Sequence, residues 1–317
     1  MTTDLPSENL VIARFWSRLG AYFVDCLTLG AIGVVTGFFL KDQFVQLGPW
    51  GRLLGFAVAL PYFGTLDSRL AGGQTLGKRL LKVKVVASDG KPLSVPRAFV
   101  RFLPLGAPWF LNNAQFPESV MFSAWMYVLS VVIFGIGLSV VYLYLFNRRS
   151  RQSLHDLIVG SYVVTAQAAG PVTVPSPWRV HFVVCGVLIV ASAAAPHFTK
   201  NLAASEPFAS LMDVYRAANT QPWVVNAKVY KGQAHFSSTA KGQHKTTYLN
   251  ITAYTKDPDV TNAERAKQLA RLAMSTDSSA KDLDVIQVTL VHGYDIGIAS
   301  SWRSQNYAHS PEEWLAQ

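Results

Sequence analysis

Asp25 has the strongest claim on chemistry, a carboxylate six residues inside the apolar run Leu19–Leu40. An ionised carboxylate at that depth costs several kcal/mol unless it is paired, wetted or protonated. Arg18 lies seven residues earlier on nearly the same helical face, Tyr22 stands between them, and Arg14 lies one turn further back. The spacing predicts one stripe, Arg14, Arg18, Tyr22 and Asp25, turned to a bundle interior rather than to lipid. Two readings fit it: a carboxylate that binds a proton or cation beside a fixed guanidinium, or a salt bridge that locks helices in register. Asp67, followed two residues later by Arg69, ends the second apolar run and supports the same site. His155-Asp156 follows Arg148, Arg149 and Arg151 beyond a later run. An imidazole beside a carboxylate there suits a proton relay, and Asp156 equally suits a cap or a pair with Arg18 or Lys78.

The elements that would position these groups are membrane spans. Half of the 317 residues are hydrophobic and 15% are charged, below the roughly 25% usual in soluble domains. Residues 1–199 carry 16 basic and 8 acidic groups, residues 200–317 carry 12 and 11, so an apolar basic part precedes a polar, nearly neutral one. A helix needs about 20 apolar residues to cross the hydrocarbon. Leu19–Leu40, Trp50–Leu66, the 27 residues Val120–Phe146, and His181–Ala195 with its flanks qualify. Ala98–Phe116 contains Arg101, Pro104, Pro108, Asn112 and Asn113, which suits a kinked or re-entrant segment. Basic residues of short loops stay in the cytoplasm. Keeping the clusters at 78–101 and 148–151 both inside requires 98–116 to cross or nearly cross. The expectation is about five spans with the N-terminus cytoplasmic and residues 200–317 extracytoplasmic. The N-terminus has neither the charge pattern nor the cleavage site of a signal peptide, so the first span is read as retained.

Three blocks carry a resemblance: ARFWSRLGAYFVD at 13–25, GGQTLGKRLLKVKVVASDGKPLSVPRAFVRF at 72–102 and RRSRQSLHDLIVGSYVV at 148–164. In order and content, residues 13–164 resemble the RDD family of bacterial membrane proteins. The resemblance implies an arginine at Arg14 or Arg18 and two aspartates at Asp25 and Asp156 as the family's named residues. It further implies a bacterial inner-membrane location and a transport role, with cation/proton exchange in some members. The last span and the tail lie outside it.

Gly72–Lys78 matches the start of a phosphate loop, but Arg79 stands where Ser or Thr should bind magnesium, and a membrane span precedes it. The glycines are read as a sharp turn. LLKVKVVA and the Asp89-Gly90 turn predict an amphipathic hairpin within 72–97 on the inner membrane surface. Cys26 and Cys185 form no metal or redox pattern, and no nucleophile, base and orienting acid stand in catalytic order. No cofactor, metal, enzyme activity or nucleic-acid partner is expected.

The expected fold is an all-α polytopic bundle of about five helices followed by a small α+β extramembrane domain. The family-like part covers 1–165, a Pro-rich linker 166–178, the fifth span 179–199 and the tail 200–317. In the tail, Pro207–Ala218 predicts a helix, with strands at WVVNAKVYK, QAHFSSTA and TTYLNITAYT and turns at Lys231-Gly232 and Lys241-Gly242. Thr261 and Glu264 predict a capping box for the next helix, LDVIQVTLV and DIGIASSW a hairpin around His292-Gly293-Tyr294, and Ser310-Pro311 a final helix. Trp223, Tyr230, Tyr248, Tyr254, Trp302 and Tyr307 are read as core. Two functional readings stand: the bundle moves a small ion or solute, protons or cations included, with Asp25 as coupling carboxylate paired to Arg14 or Arg18; or it anchors the tail for a protein partner. Four short spans are compatible with a homo-oligomer in the bilayer.

Overall fold

The computed structural model describes residues 12–316 apart from 115, 117, 207 and 239–241. The chain forms two compact units. One comprises Met1–Phe39, Pro49–Pro196 and Ile296–Ala299; the other comprises Leu40–Gly48, His197–Asp295 and Ser300–Gln317.

α1 (Phe15–Leu47), which belongs to the first unit as far as Phe39, leads through a short 3-10 turn into α2 (Gly51–Leu66) of that unit. A five-residue helix, α3 (Leu76–Leu80), precedes strand β1 (Val83–Ala87), followed by α4 (Val95–Leu111), α5 (Glu118–Met121) and α6 (Trp125–Ser130). A π-helical turn at Val131–Ile136 joins α6 to α7 (Gly137–Phe146). Then come α8 (Leu154–Val159), β2 (Ser161–Thr165) and the long α9 (Arg179–Ala203).

Three stretches are long and apolar enough to cross a membrane: Phe15–Leu66, Trp125–Phe146 and Arg179–Ala203. Within the first stretch α2 is a short helix, and the predicted span at 98–116, which is not among the three, is carried by another, α4. At 1.5 Å per residue, the 16 residues of α2 rise about 24 Å and the 17 of α4 about 26 Å, against about 30 Å of hydrocarbon. They pack on each other through Phe56, Phe63, Phe102 and Phe110, with the Phe63 and Phe102 rings stacked at 4.7 Å. Gly64 permits this approach, since a Cβ there would meet the Phe99 ring at 2.4 Å. The last spanning helix lies along the α6–α7 segment: Ser130 Oγ donates to the Ser192 carbonyl (2.6 Å), and Tyr142 Oη lies 3.0 Å from His181 Nδ1. Small and hydroxylated residues at such seams are how helices associate in lipid.

The membrane half is not purely helical. β1 pairs with β2 antiparallel, Val85 opposite Val163, rather than folding back on residues 91–97. The Asp89-Gly90 turn forms, Gly90 N–H donating to the Ala87 carbonyl (3.0 Å), but the chain then enters α4 instead of a second strand. The predicted amphipathic hairpin is thereby corrected: the ribbon is buried on both faces. Val83, Val85 and Ala87 join Ala13, Ala21 and Ala98 on one side, while Val86 and Val164 pack with Ala168 and Val172 on the other. A valine-rich strand needs a partner, and Ser161–Thr165 supplies one with the same alternation. Ala13 N–H donates to the Val163 carbonyl (2.9 Å), tying the entry of α1 to the ribbon.

The second unit holds a four-stranded sheet, β3 (Val224–Ser238), β4 (Gly242–Thr255), β5 (Val285–Asp295) and β6 (Ser300–His309), in that order. Only β4 and β5 run parallel, joined by the crossover helix α11 (Ala263–Thr276). With α10 (Phe208–Asn219) and α12 (Pro311–Ala316), this is the α+β domain expected. Its core joins Leu249, Ile251, Ile286, Val288 and Leu290 to Ala266, Leu269, Ala270 and Trp314.

Several local readings change. β3 runs unbroken through Lys231-Gly232, because the paired strand β4 continues alongside it. Lys241 and Pro207 lie outside the described residues. β5 continues through His292-Gly293-Tyr294, so the hairpin turns at 296–299 instead. Asn262, not Thr261, caps α11, accepting from Arg265 N–H. Ser310 and Glu313 do form a reciprocal cap on α12. Trp223 and Tyr307 pack against the core as read, whereas Tyr230 and Trp302 are 48% and 44% exposed, so the aromatics do not form one core.

Trp314 is fully buried and donates its indole N–H to the Ile286 carbonyl (2.9 Å). Trp314→Ala should cost about 3–5 kcal/mol. Protease resistance of the tail of the full-length protein should then collapse at a urea concentration more than about 1 M lower.

Candidate functional site

Asp25 is fully buried, and its partners are not arginines. Oδ1 accepts from Tyr62 Oη (2.7 Å) and from the Gly77 backbone N–H (2.8 Å); Oδ2 accepts from Thr75 Oγ1 (2.6 Å). The same Thr75 hydroxyl accepts from Lys78 N–H and caps α3. A carboxylate buried on the first span is thus met by two hydroxyls and one end of a short helix. Only glycine fits at 77, where a Cβ would lie 2.0 Å from the Ala21 carbonyl oxygen. The predicted pairing of Asp25 with Arg14 or Arg18 is corrected. Arg14 is exposed, and Arg18 turns instead to Asp156. Tyr22 packs on Phe63 at 6.2 Å.

The ion pairs gather around Asp67 and Asp156. Arg101, on α4, joins both: Nη1 reaches Asp67 Oδ2 (2.7 Å), and Nη2 and Nε reach Asp156 Oδ1 (2.7 and 3.0 Å). Lys78 Nζ donates to Asp67 Oδ1 (2.7 Å) and Arg18 Nη2 to Asp156 Oδ2 (2.8 Å). Ser161 Oγ and Ser153 N–H complete the shell of Asp156 (3.1 and 3.3 Å). The result is a continuous chain, Lys78–Asp67–Arg101–Asp156–Arg18, binding α3, the end of α2, α4, α8 and α1. All five groups are buried or nearly so. Arg18 also donates to the Arg151 carbonyl and lies 5.1 Å from the Tyr144 ring centre.

The local sequence explains this convergence. Asp156 sits in the first turn of α8, where a carboxylate meets the helix dipole. The loop before it is stitched by Asn147 Nδ2 to Ser150 Oγ and the Gln152 carbonyl, and by Gln152 Nε2 to the Ser161 carbonyl. Ser153 Oγ donates to the Val140 carbonyl (2.7 Å), fixing α8 to α7. Burial opposes ionisation of Asp156, but His155, Arg101 and Arg18 together hold its pKa far below the usual carboxylate range. Burial first, and the cations Arg101, Arg18 and Lys78 after it, push the His155 imidazole down to about 3 against the pull of Asp156. These shifts favour a neutral imidazole beside an ionised carboxylate.

Of the two partners offered for Asp156, Arg18 takes the place and Lys78 pairs with Asp67 instead; Arg101 is the residue that the sequence reading left among the cytoplasmic loop charges. The signal was present: an arginine inside 98–116 calls for a partner as strongly as Asp25 does.

Arg18, Asp67, Lys78, Arg101 and His155 form the polar wall of a cavity of about 380 Å³, whose other sides are apolar residues of α1, α4 and α7, among them Leu19, Phe102, Leu105 and Tyr144. That volume lies within the range of small-molecule sites.

With this geometry, comparison with known proteins is direct: residues 12–160 match the sequence model of the RDD family. This part of the chain belongs to the RDD family. Among its relatives, uncharacterized protein YckC of Bacillus subtilis (strain 168) is 26% identical over 160 residues, covering 49% of this chain and 85% of that protein. Uncharacterized protein YxaI of the same strain is 24% identical over 173 residues, covering 48% and 96%. No solved structure matches the chain. The matched region ends at Gly160, immediately before β2, and α9 and the tail lie outside it.

Arg101→Met leaves Asp67 and Asp156 short of a buried counter-charge and should cost about 3–5 kcal/mol, read as a lower detergent-solubilised melting temperature. His155 has a folded pKa of about 3 below its unfolded value of about 6.5, so between these pH values the unfolded state binds more protons. Stability from this group is complete above about pH 6.5 and is lost as pH falls. His155→Gln should flatten the fall in melting temperature between about pH 6.5 and 5, where exposed carboxylates are still ionised.

Proposed function

We propose that the RDD domain carries a small charged solute across the bacterial cytoplasmic membrane. The chain crosses five times in this reading, with α2 and α4 as a short helical pair, the N-terminus inside and residues 200–317 outside. One observation carries the reading: ionisable groups line a cavity among apolar helices instead of only closing on one another. Such groups are costly in a bilayer and mark solute pathways. The wall holds Arg18, Lys78 and Arg101 against Asp67, which favours an anion over a proton or metal cation. Asp25 has a positioning role here, holding α3 and Lys78 against the first span through Thr75 and Gly77.

A second reading, a membrane anchor that presents the tail to a protein partner, is favoured by one feature. Every carboxylate oxygen of Asp67 and Asp156 already has a protein donor, as a lock would require.

Proteoliposomes separate the two. Uptake of radiolabelled sodium, chloride and decanesulfonate should exceed that of empty liposomes for at least one anion. Asp67→Asn, with its melting temperature retained within a few degrees, should lower that flux at least tenfold. No flux above background for all three probes overturns transport and leaves the anchor.

A further inference from the structure

The cavity in the RDD domain has an uneven chemistry. Most of its lining is apolar, and the lining residues Leu19, Val141 and Leu145 are 37%, 54% and 46% exposed on helices long and apolar enough to span a bilayer. In a membrane, exposed apolar faces of such helices meet acyl chains, so this part of the lining faces hydrocarbon. In the polar wall, the side chains of Arg18 and Arg101 are each 8% exposed and that of Lys78 is 11%.

His155 lines the cavity, but its Nδ1, without a partner among the described residues, has almost no accessible surface and is out of an occupant's reach. Lys78 Nζ has hydrogen-bonding capacity to spare at the cavity wall: it carries three N–H donors, and its one hydrogen-bond acceptor among the described residues is Asp67. Charge points the same way. The linked chain sets three cations, Arg18, Lys78 and Arg101, against two carboxylates, Asp67 and Asp156. The third buried carboxylate, Asp25, is taken up by Tyr62, Thr75 and Gly77 and is not in the wall. One positive charge remains for an incoming group, and a buried charge without a counter-ion is expensive.

We infer that this cavity binds an amphipathic monoanion with a single apolar chain, its anionic head at Lys78 and its chain toward Leu19, Val141 and Leu145. The inference rests on the membrane reading of the domain and specifies the solute class that the proposed transport would serve. A cation would meet three positive groups, and a neutral chain would leave Lys78 as it is.

The test is equilibrium binding of radiolabelled dodecanoate to the full-length protein in phosphatidylcholine nanodiscs, corrected for empty discs. The expected result is saturable binding of one dodecanoate per chain. Dodecyl phosphate should compete, while dodecanol and dodecylammonium should not. Lys78→Gln should weaken binding at least tenfold. Because that substitution also touches an ion pair, Val141→Trp supplies an independent arm: it adds bulk to the apolar lining without touching the network and should weaken binding comparably. Arg14→Gln, an exposed cation outside the cavity, should leave binding unchanged. Absence of saturable binding overturns the inference, as does equal competition by dodecylammonium. Loss of dodecanoate binding on adding phosphatidylglycerol to the discs overturns it too, since a bilayer lipid would then be the occupant. Binding without flux sinks the transport reading alone; flux of chloride without dodecanoate binding sinks this inference alone.

Discussion

A guanidinium buried between two carboxylates governs the membrane half of this protein. Arg101 reaches Asp67 on one side and Asp156 on the other, and those two residues lie 89 positions apart in the chain. Each carboxylate shares this guanidinium and has one further cation, Lys78 for Asp67 and Arg18 for Asp156, and Arg101 could not be buried without them. Arginine suits the place because its planar fork serves two acceptors at once, which an ammonium group does not. The helices that carry these residues are individually unremarkable apolar segments. Their mutual register follows from where the charges must meet. Arg18 and Lys78 extend the chain at each end, so the first span and the short α3 helix are fixed by the same requirement.

The geometry separates two kinds of buried carboxylate. Asp67 and Asp156 are neutralised by cations. Asp25 is solvated by two hydroxyls and a backbone N–H, in the manner of a capping residue that happens to come from another helix. The residues that the resemblance singles out, Arg14 or Arg18 with Asp25 and Asp156, therefore do not meet in one cluster. Of the two candidate arginines, Arg18 is in the network and Arg14 is at the surface, and the aspartates divide between capping and ion pairing.

Much of this was legible in the sequence, and the misses have physical reasons. Asp25, Arg18, Asp67 and Asp156 stand out because a charge in an apolar run is expensive wherever the run folds. Of their pairings the sequence offered Arg18 with Asp156 as an alternative, but not the link through Arg101, since helical periodicity ranks neighbours on one helix and says nothing of residues 34 and 55 positions away. Periodicity made Arg14 and Arg18 equivalent, and only the attachment of Ala13 to β2 turns one inward. The strand at 83–87 was visible in its alternating valines, but its partner was not. A nearby Asp-Gly turn suggests a local hairpin, yet Ser161–Thr165 offers a longer apolar match that buries both faces. In the tail, Lys231-Gly232 has turn chemistry, but pairing along the whole of β4 overrides it. Signals confined to a few residues, such as the Ser310 cap, survive because nothing distant competes with them.

Asp67 and Asp156 act as one unit through Arg101. The direct measurement is a double-mutant cycle on the unfolding free energy of the full-length protein, with Asp67→Asn and Asp156→Asn made singly and together. Shared dependence on one guanidinium predicts a coupling energy of about 1–3 kcal/mol between them. Additivity within about 0.5 kcal/mol would mean that the two carboxylates are held independently, and the ion-pair chain would not be what orders the domain.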